Sequence, residues 1–435
     1  CVTQLLEKEN ISESDYLLDL LINRVPPGVD EAAYIKASWL TAIVNGEKHC
    51  KFINSQKAIQ ILGTMIGGYN VNSLIEILKS KNNVLAKEAA QVLKNIILVY
   101  DAANDIFDLS HNNVYAEEVV NSWANAEWFT TRNSLPKEII CLAFKIDGET
   151  NTDDLSPAVH ATTRPDIPLH SLSMLQFKKH DGLRILDDLK KQDIQIAYVG
   201  DVVGTGSSRK SAINSVIWHL GQDIPFVPNK KTGGIIIGNK IAPIFFNTAQ
   251  DSGALPIETD VSAIKTGDLI KIFPYEGIIK KIDKLSNTEV VISHFKLQPS
   301  TLTDEIQAGG RINLMIGRSL TDKIRKKLEL QPSEIFIRPK SPNKINTKFT
   351  QAQKIVGKAC GLEGVLPGMT CEPIMTTVGS QDTTGPMTRD ELKELACLGF
   401  TADLVMQSFC HTAAYPKPVD LVTHKELPDF ISQRG

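Results

Sequence analysis

Residues 198–212 read YVGDVVGTGSSRKSA. The stretch begins as an apolar, strand-like run, passes through a glycine turn and opens a helix. Gly204 and Gly206 allow the chain to turn tightly and bring backbone N–H groups close to a ligand. Ser207 or Ser208 is placed to cap the helix. Arg209 adds a forked donor suited to a carboxylate. A helix start carries unpaired N–H groups and a partial positive charge, so it welcomes an anion. The loop is not a Walker A sequence, because no Gly-Lys-Ser/Thr follows. It is not a dinucleotide fingerprint either, because Arg209 stands where the third glycine belongs. The residues alone leave two readings open: a capped helix start with a surface arginine, or a seat for a negatively charged substrate.

Working outward, residues 134–342 mix strands and helices and read as an α/β domain. KEIICLAFKIDGETNTDD holds a strand-like run and an Asp-Gly turn. IQIAYVG, PFVPN, GGIIIGNKIAPIFF, DLIKIFPYEGIIKKI and EVVISHFKL are further β-like runs. Residues 1–133 read instead as consecutive short helices. DYLLDLLINRV, SQKAIQILGTMIGG and VNSLIEILKSKNN carry apolar residues at three- and four-residue spacing, as in Leu74, Ile77 and Leu78. Gly46, Gly67–Gly68 and Asn82–Asn83 punctuate them. This pattern predicts a stack of helix pairs, a form that offers a surface to partners, although no clean repeat is visible. RPKSPNKINTKFT is a basic link, and residues 343–435 begin a further α/β unit.

Other polar constellations fall outside the opening loop. ETNTDDLSPA, residues 149–158, is a polar turn with Asp153 and Asp154 adjacent. TTRPDIPLH, residues 162–170, carries Arg164 in an extended, proline-restricted segment, either as a carboxylate clamp or as a surface residue. Gln381, Asp382 and Thr383 precede a Thr-Gly-Pro turn, able to hydrogen-bond a ligand or to satisfy the turn itself. Thr388 and Glu391 have capping-box spacing. His411 in SFCHTAAYPKP is an acid–base candidate by residue type alone.

Bulk properties narrow the function classes. At 435 residues the chain exceeds one ordinary domain. Its 42% hydrophobic and 22% charged content is that of a globular protein. A net charge of −3 gives no global pull toward nucleic acid or an anionic membrane. Residues 1–133 hold 11 Lys and Arg against 16 Asp and Glu, a net of −5, which argues against a broad RNA-binding face there and favours protein contact. No apolar run approaches the roughly 20 residues of a membrane span. Seven cysteines at irregular spacing, with no C-x-x-C, suggest reduced thiols in a cytoplasmic compartment. The Cys1 start and the abrupt LPDFISQRG end suggest a piece of a longer protein.

Taken together, NRVPPGVDEAAY, GETNTDDLSPA, RPDIPLHSL, AYVGDVVGTGSSRKSA, NKIAPIFFNT, VGSQDTTGPMTRDELKELACLGF and DLVMQSFCHTAAYPKPVD resemble the bacterial aconitase B family, in order along nearly the whole chain. The resemblance implies a multidomain α and α/β fold: a HEAT-like α-solenoid over residues 1–133, the aconitase swivel α/β domain over 134–342, and over 343–435 a linker and the start of the α/β domains that hold a 4Fe-4S cluster. It implies interconversion of citrate and isocitrate through cis-aconitate, and hydration of 2-methyl-cis-aconitate. Residue by residue, it implies that Ser207 is the base, that Ser208 and Arg209 bind a substrate carboxylate, and that Arg164, Gln381, Asp382 and Thr383 contact substrate. Aconitases use an Asp-His pair near the place of FCHTAAY, and that spot here reads Cys410-His411-Thr412.

The family's cluster is held by one cysteine and a later C-x-x-C, and no C-x-x-C is present here. Cys360, Cys371, Cys397 and Cys410 precede the family's ligand region and are not assigned as ligands. The expectation is therefore that this chain alone holds no cluster and is inactive. The alternative is a stand-alone module whose helical region docks a protein or RNA, or mediates self-association.

Overall fold

The structure is a computed structural model. It describes residues 2–8, 13–24, 31–65, 68–161, 163–164, 166–283, 286, 288–339, 342, 348–369, 371–381, 402–409, 413–414, 418, 420–421 and 424–425. The chain divides into two compact units. The described residues of the larger lie within 1–335 and those of the smaller within 336–425.

The larger unit opens with α1 (Val2–Leu6) and α2 (Ser14–Asp19), the latter running into a π-helical turn at Leu20–Arg24. Then come α3 (Glu31–Val44), α4 (Ser55–Gly63), α5 (Val71–Leu78), α6 (Asn83–Leu93), α7 (Ala102–Ser110), α8 (Val114–Ala124) and the single turn α9 (Glu127–Thr130). Asparagines start three of these helices. Asn54, Asn82 and Asn113 each accept backbone N–H bonds from the first turn. α3 packs on α4, α5 on α6 and α7 on α8. α3, α5 and α7 adjoin in one row, and α4, α6 and α8 in a second. Leu40, Ile59, Leu62, Leu74, Leu78, Leu93 and Trp123 are buried between the rows.

The α/β part is built around β1 (Ile139–Asn151). On one side of it lie β2 (Ile196–Thr205), β5 (Ile235–Ile241) and β6 (Leu255–Glu258), joined in parallel. On the other lie β7 (Leu269–Phe273), β8 (Ile278–Ile282) and β9 (Glu289–His294), joined antiparallel. The sheet order is β6-β5-β2-β1-β7-β8-β9. A small hairpin of β3 (Gln222–Ile224) and β4 (Val227–Thr232) stands apart from it.

Alternation along the strands sets the two cores. Leu142, Phe144, Ile196, Tyr198 and Ile236 face one side, where they meet α12 (Gly182–Lys190), α13 (Arg209–Leu220) and α14 (Pro243–Asp251) through Leu186, Ile213, Val216 and Phe245. Cys141, Ala143, Ala197, Val199, Ile235 and Ile237 face the other, against Val261, Ile264 and Leu302 of α15 (Leu302–Ala308). Both faces of the central strands are buried, as their near-continuous apolar sequence requires.

Two local expectations are corrected. Asp147–Gly148 is not a reversal: β1 continues through it with a register slip between Ile146 and Glu149. The Gly148 N–H donates to the Asp201 carboxylate on neighbouring β2 at 2.7 Å, so the strand bulges instead of turning. The APIFF end of GGIIIGNKIAPIFF is helix, not strand. Pro243 takes the first position of α14, where its missing N–H costs nothing.

The helical and α/β parts are joined by α16 (Arg311–Lys327), whose Leu320 and Ile324 belong to the helical core. Trp128 Nε1 donates to Thr321 Oγ1 at 3.1 Å, and Thr321 Oγ1 donates to the Trp123 carbonyl at 2.9 Å. Arg325 reaches the Ala124 carbonyl. The smaller unit contains α17 (Gln351–Ala359), capped by Thr350 and Gln353, and a parallel pair, β10 (Thr377–Gln381) with β11 (Leu404–Ser408).

Candidate active site at the carboxyl ends of the parallel strands

β1, β2 and β5 run parallel, so their carboxyl ends share one edge of the sheet, the edge at which open α/β sheets place ligands. β1 passes there into α10 (Thr152–Leu155), β2 into the GTGSSR loop and α13, and β5 into α14. Asn151 starts α10 with a capping box. Its side chain accepts from the Asp153 and Asp154 N–H groups at 2.8 Å, and Asp154 accepts from the Asn151 N–H at 3.0 Å. The polar turn expected at Asp153–Asp154 is thus a helix start.

The loop is tied to that helix. Thr205 Oγ1 donates to Glu149 on β1, and the Ser208 N–H donates to Thr152 Oγ1 at 3.3 Å. Gly206 has φ +107°, and a Cβ there would fall inside 3.0 Å of Thr152 Oγ1. Only glycine permits both the backbone angle and the approach. Ser208 occupies the N-cap position of α13, but its side chain makes no capping bond, which corrects the expectation of a serine cap. Ser207 and Ser208 are exposed. The Arg209 guanidinium folds back and donates from Nη1 to the Gly206 carbonyl at 2.8 Å. The result is a half-buried cation beside two exposed hydroxyls at the start of a 12-residue helix. This combination favours an anion.

Arg164 lies on the segment that follows α10. The Arg164 N–H donates to the His160 carbonyl at 2.9 Å. Asp166 then caps α11 (Ile167–Ser171) by accepting from the Leu169 N–H at 2.8 Å. His170 is buried, with Nε2 2.9 Å from Ser156 Oγ and Nδ1 3.1 Å from the Arg164 carbonyl oxygen. Burial is the largest cause lowering its pKa below 6.5. His219 on α13 is lowered for the same reason, with Nε2 3.0 Å from the Ser171 carbonyl.

Comparisons with known proteins cover this region and the helical part. A family model described as "Aconitate B N-terminal domain" matches residues 1–129, and one described as "Aconitate hydratase 2 N-terminus" matches residues 141–349. "Aconitate hydratase B" of Synechocystis sp. is 62% identical over 99% of this chain and 49% of its own length. The proteins of that name from Helicobacter pylori and Escherichia coli are 55% and 53% identical over 100% of this chain. The chain belongs to the aconitate hydratase B family. It spans about half the length of these relatives, 49–51% of each.

Of the residues that this family resemblance singled out, Ser207, Ser208 and Arg209 share the loop. Arg164 is joined to it through His170, Ser156 and α10. Gln381 ends β10 in the smaller unit, where its backbone pairs with Ser408. Asp382, Thr383 and His411 lie outside the described residues, as do Thr388 and Glu391. The sequence reading missed Thr152, Glu149 and His170. Each sat inside a quoted motif, but no spacing rule marks a side chain that holds another segment's backbone.

The family's 4Fe-4S cluster requires thiolates that converge. Among the described residues no three His, Cys, Asp or Glu side chains form such a group. Cys50 lies in the helical core. Cys141 lies in a sheet core, where burial pushes its thiol up to about 12. The described residues therefore do not fit a cluster. Among them no helix is long and apolar enough to cross a membrane.

Proposed function

We propose that this chain is the N-terminal part of a cytoplasmic aconitate hydratase that interconverts citrate and isocitrate through cis-aconitate, and that it also serves hydration of 2-methyl-cis-aconitate. The carrying observation is the exposed Ser207–Ser208 pair, free of capping bonds to α13 and flanked by Arg209. In this reading Ser207, as alkoxide, takes the proton from the carbon beside a substrate carboxylate. The negative charge that develops on that carboxylate meets the Ser208 hydroxyl, the Arg209 guanidinium and the first N–H groups of α13. Arg164 binds a second carboxylate, and Gln381, Asp382 and Thr383 contribute further contacts. Several fixed clamps suit a tricarboxylate, because each removes rotational freedom before reaction. His411 is the remaining acid–base candidate.

Residues 1–133 form a HEAT-like solenoid, 134–342 the swivel domain, and 343–435 a linker with the beginning of the cluster-bearing domains. The two rows α3, α5, α7 and α4, α6, α8 support the first, and the family matches at 1–129 and 141–349 support the division. The cluster is held by the remainder of the parent protein, so the 435-residue chain alone is inactive.

The deciding experiment is Ser207→Ala in the complete protein loaded with iron and sulfide, assayed for citrate-to-isocitrate conversion. Removal of a general base lowers the rate by about 10²–10⁴-fold. Activity equal to that of the unmodified protein would refute the assignment of Ser207. If the complete protein gains no iron-dependent activity, the hydratase reading fails and a binding module remains.

A further inference from the structure

The segment between Ser156 and Arg164 is closed by one buried side chain. His170 is 2% exposed and touches both ends, Ser156 Oγ with Nε2 and the Arg164 carbonyl with Nδ1. A carbonyl oxygen only accepts, so Nδ1 carries the proton. In the neutral ring Nε2 is then the acceptor, and the Ser156 hydroxyl donates to it. Burial favours that neutral ring. Ser156 in turn gives its N–H to the Thr152 carbonyl at 2.9 Å, and Thr152 Oγ1 receives the Ser208 N–H. A continuous path of bonds and one helical turn thus runs from Arg164 through His170, Ser156 and Thr152 to Ser208. The middle of the segment has its own anchors: the Ala158 N–H donates to Asp153 at 2.8 Å, and His160 Nε2 lies 2.8 Å from Gln176 Nε2. The Arg164 N–H donates to the His160 carbonyl at 2.9 Å, so His160 holds that N–H while His170 holds the carbonyl of the same residue.

We propose that His170 is a positioning residue that sets Arg164 at a fixed distance from the Ser207–Ser208 loop, so that both can engage carboxylates of one substrate. This rests on the reading of Arg164 and Ser208 as carboxylate contacts. The neutral Nδ1–H tautomer is the working form. Rearrangement at His170 shifts Arg164 and leaves Ser207 in place, so its effect falls on substrate binding more than on turnover.

Two variants separate the two bonds. The amide nitrogen of asparagine occupies the place of Nδ1, so His170→Asn keeps the donor to the Arg164 carbonyl. The amide oxygen of glutamine occupies the place of Nε2, so His170→Gln keeps the acceptor for Ser156 and loses Arg164. In the complete enzyme, His170→Gln is expected to raise KM for citrate about tenfold with kcat within about threefold, and His170→Asn to recover most of that loss. In the 435-residue chain, His170→Gln is expected to speed amide exchange at Thr163, Arg164 and Asp166 about tenfold, and His170→Asn to leave it near the unmodified rate. Equal behaviour of the two variants, or unchanged exchange in His170→Gln, overturns the positioning role. Arg164→Ala is the control. If it leaves KM unchanged, the substrate reading of Arg164 fails, and with it any role of His170 toward substrate. If it raises KM while His170→Gln leaves both KM and exchange unchanged, the positioning role fails alone. The unmodified chain gives an independent test: ¹⁵N spectra at neutral pH should show His170 protonated at Nδ1 only, and a proton at Nε2 instead overturns the proposal.

Discussion

The fit between Gly206 and Thr152 can be taken apart with two substitutions. Gly206→Ala imposes a side chain on a backbone at φ +107° and drives its Cβ against Thr152 Oγ1. Holding a non-glycine residue at such an angle costs about 1–3 kcal/mol. Displacing Thr152 also loses its bond to the Ser208 N–H, a further ~0.5–1.5 kcal/mol. The total for Gly206→Ala is about 1.5–4.5 kcal/mol, the sum of those two ranges. Thr152→Ala alone loses only the bond, about 0.5–1.5 kcal/mol. In the double variant the overlap is gone and the bond can be lost only once. The two single losses, measured by urea denaturation of the chain, should therefore exceed the double loss by about 1 kcal/mol. Because the same loop holds Ser207, Gly206→Ala should also lower kcat/KM of the complete enzyme by about 10²-fold, the scale of an ångström's misplacement. Strictly additive single losses, within about 0.3 kcal/mol, would refute the coupling and the steric account of Gly206.

Two further predictions concern the helical part. Thr321→Val keeps the shape of a fully buried side chain and removes both of its bonds to the tryptophan layer. A loss of about 2–3 kcal/mol in chemical denaturation is expected, and a loss below about 0.5 kcal/mol would show that those bonds do not secure α16. Lys36 is 2% exposed, and burial lowers its pKa from 10.5 to about 8, with Nζ 3.3 Å from the Ile22 carbonyl. The unfolded chain takes up this proton first as pH falls from 10.5, so stability declines through that window and levels off once the folded form is also protonated, below about 8. The decline amounts to about 3 kcal/mol. Lys36→Met should abolish this slope and be the more stable protein at neutral pH. Parallel stability curves for the two proteins between pH 8 and 10 would contradict the burial cost.

The candidate site was legible in the sequence wherever chemistry is local. GTGSSR names its own glycines, hydroxyls and cation within six residues, and Arg164 is marked by the proline after it. What escaped was whatever depends on a neighbour far along the chain. The serine cap was the ordinary reading of Ser208, but Thr152, on another strand's helix, takes the Ser208 N–H and holds the loop without a capping bond to α13. His170 resembles any histidine on a short helix until Ser156 and the Arg164 carbonyl are seen at its two nitrogens.

The sequence by itself determined the period of each element and hence the character of its faces. Helical spacing in Leu74, Ile77 and Leu78 and two-sided apolar runs such as IICLAF follow from covalent geometry, which repeats at 3.6 residues in a helix and at 2 in a strand. Tertiary structure alone decided that Asp147–Gly148 bulges instead of turning, that APIFF becomes a helix start, and that α16 closes the helical core. Those outcomes depend on which backbone group or side chain a distant segment brings within bonding range. A carboxylate on Asp201 or a hydroxyl on Thr321 contributes as much as a local preference does, and no window along the chain contains both partners.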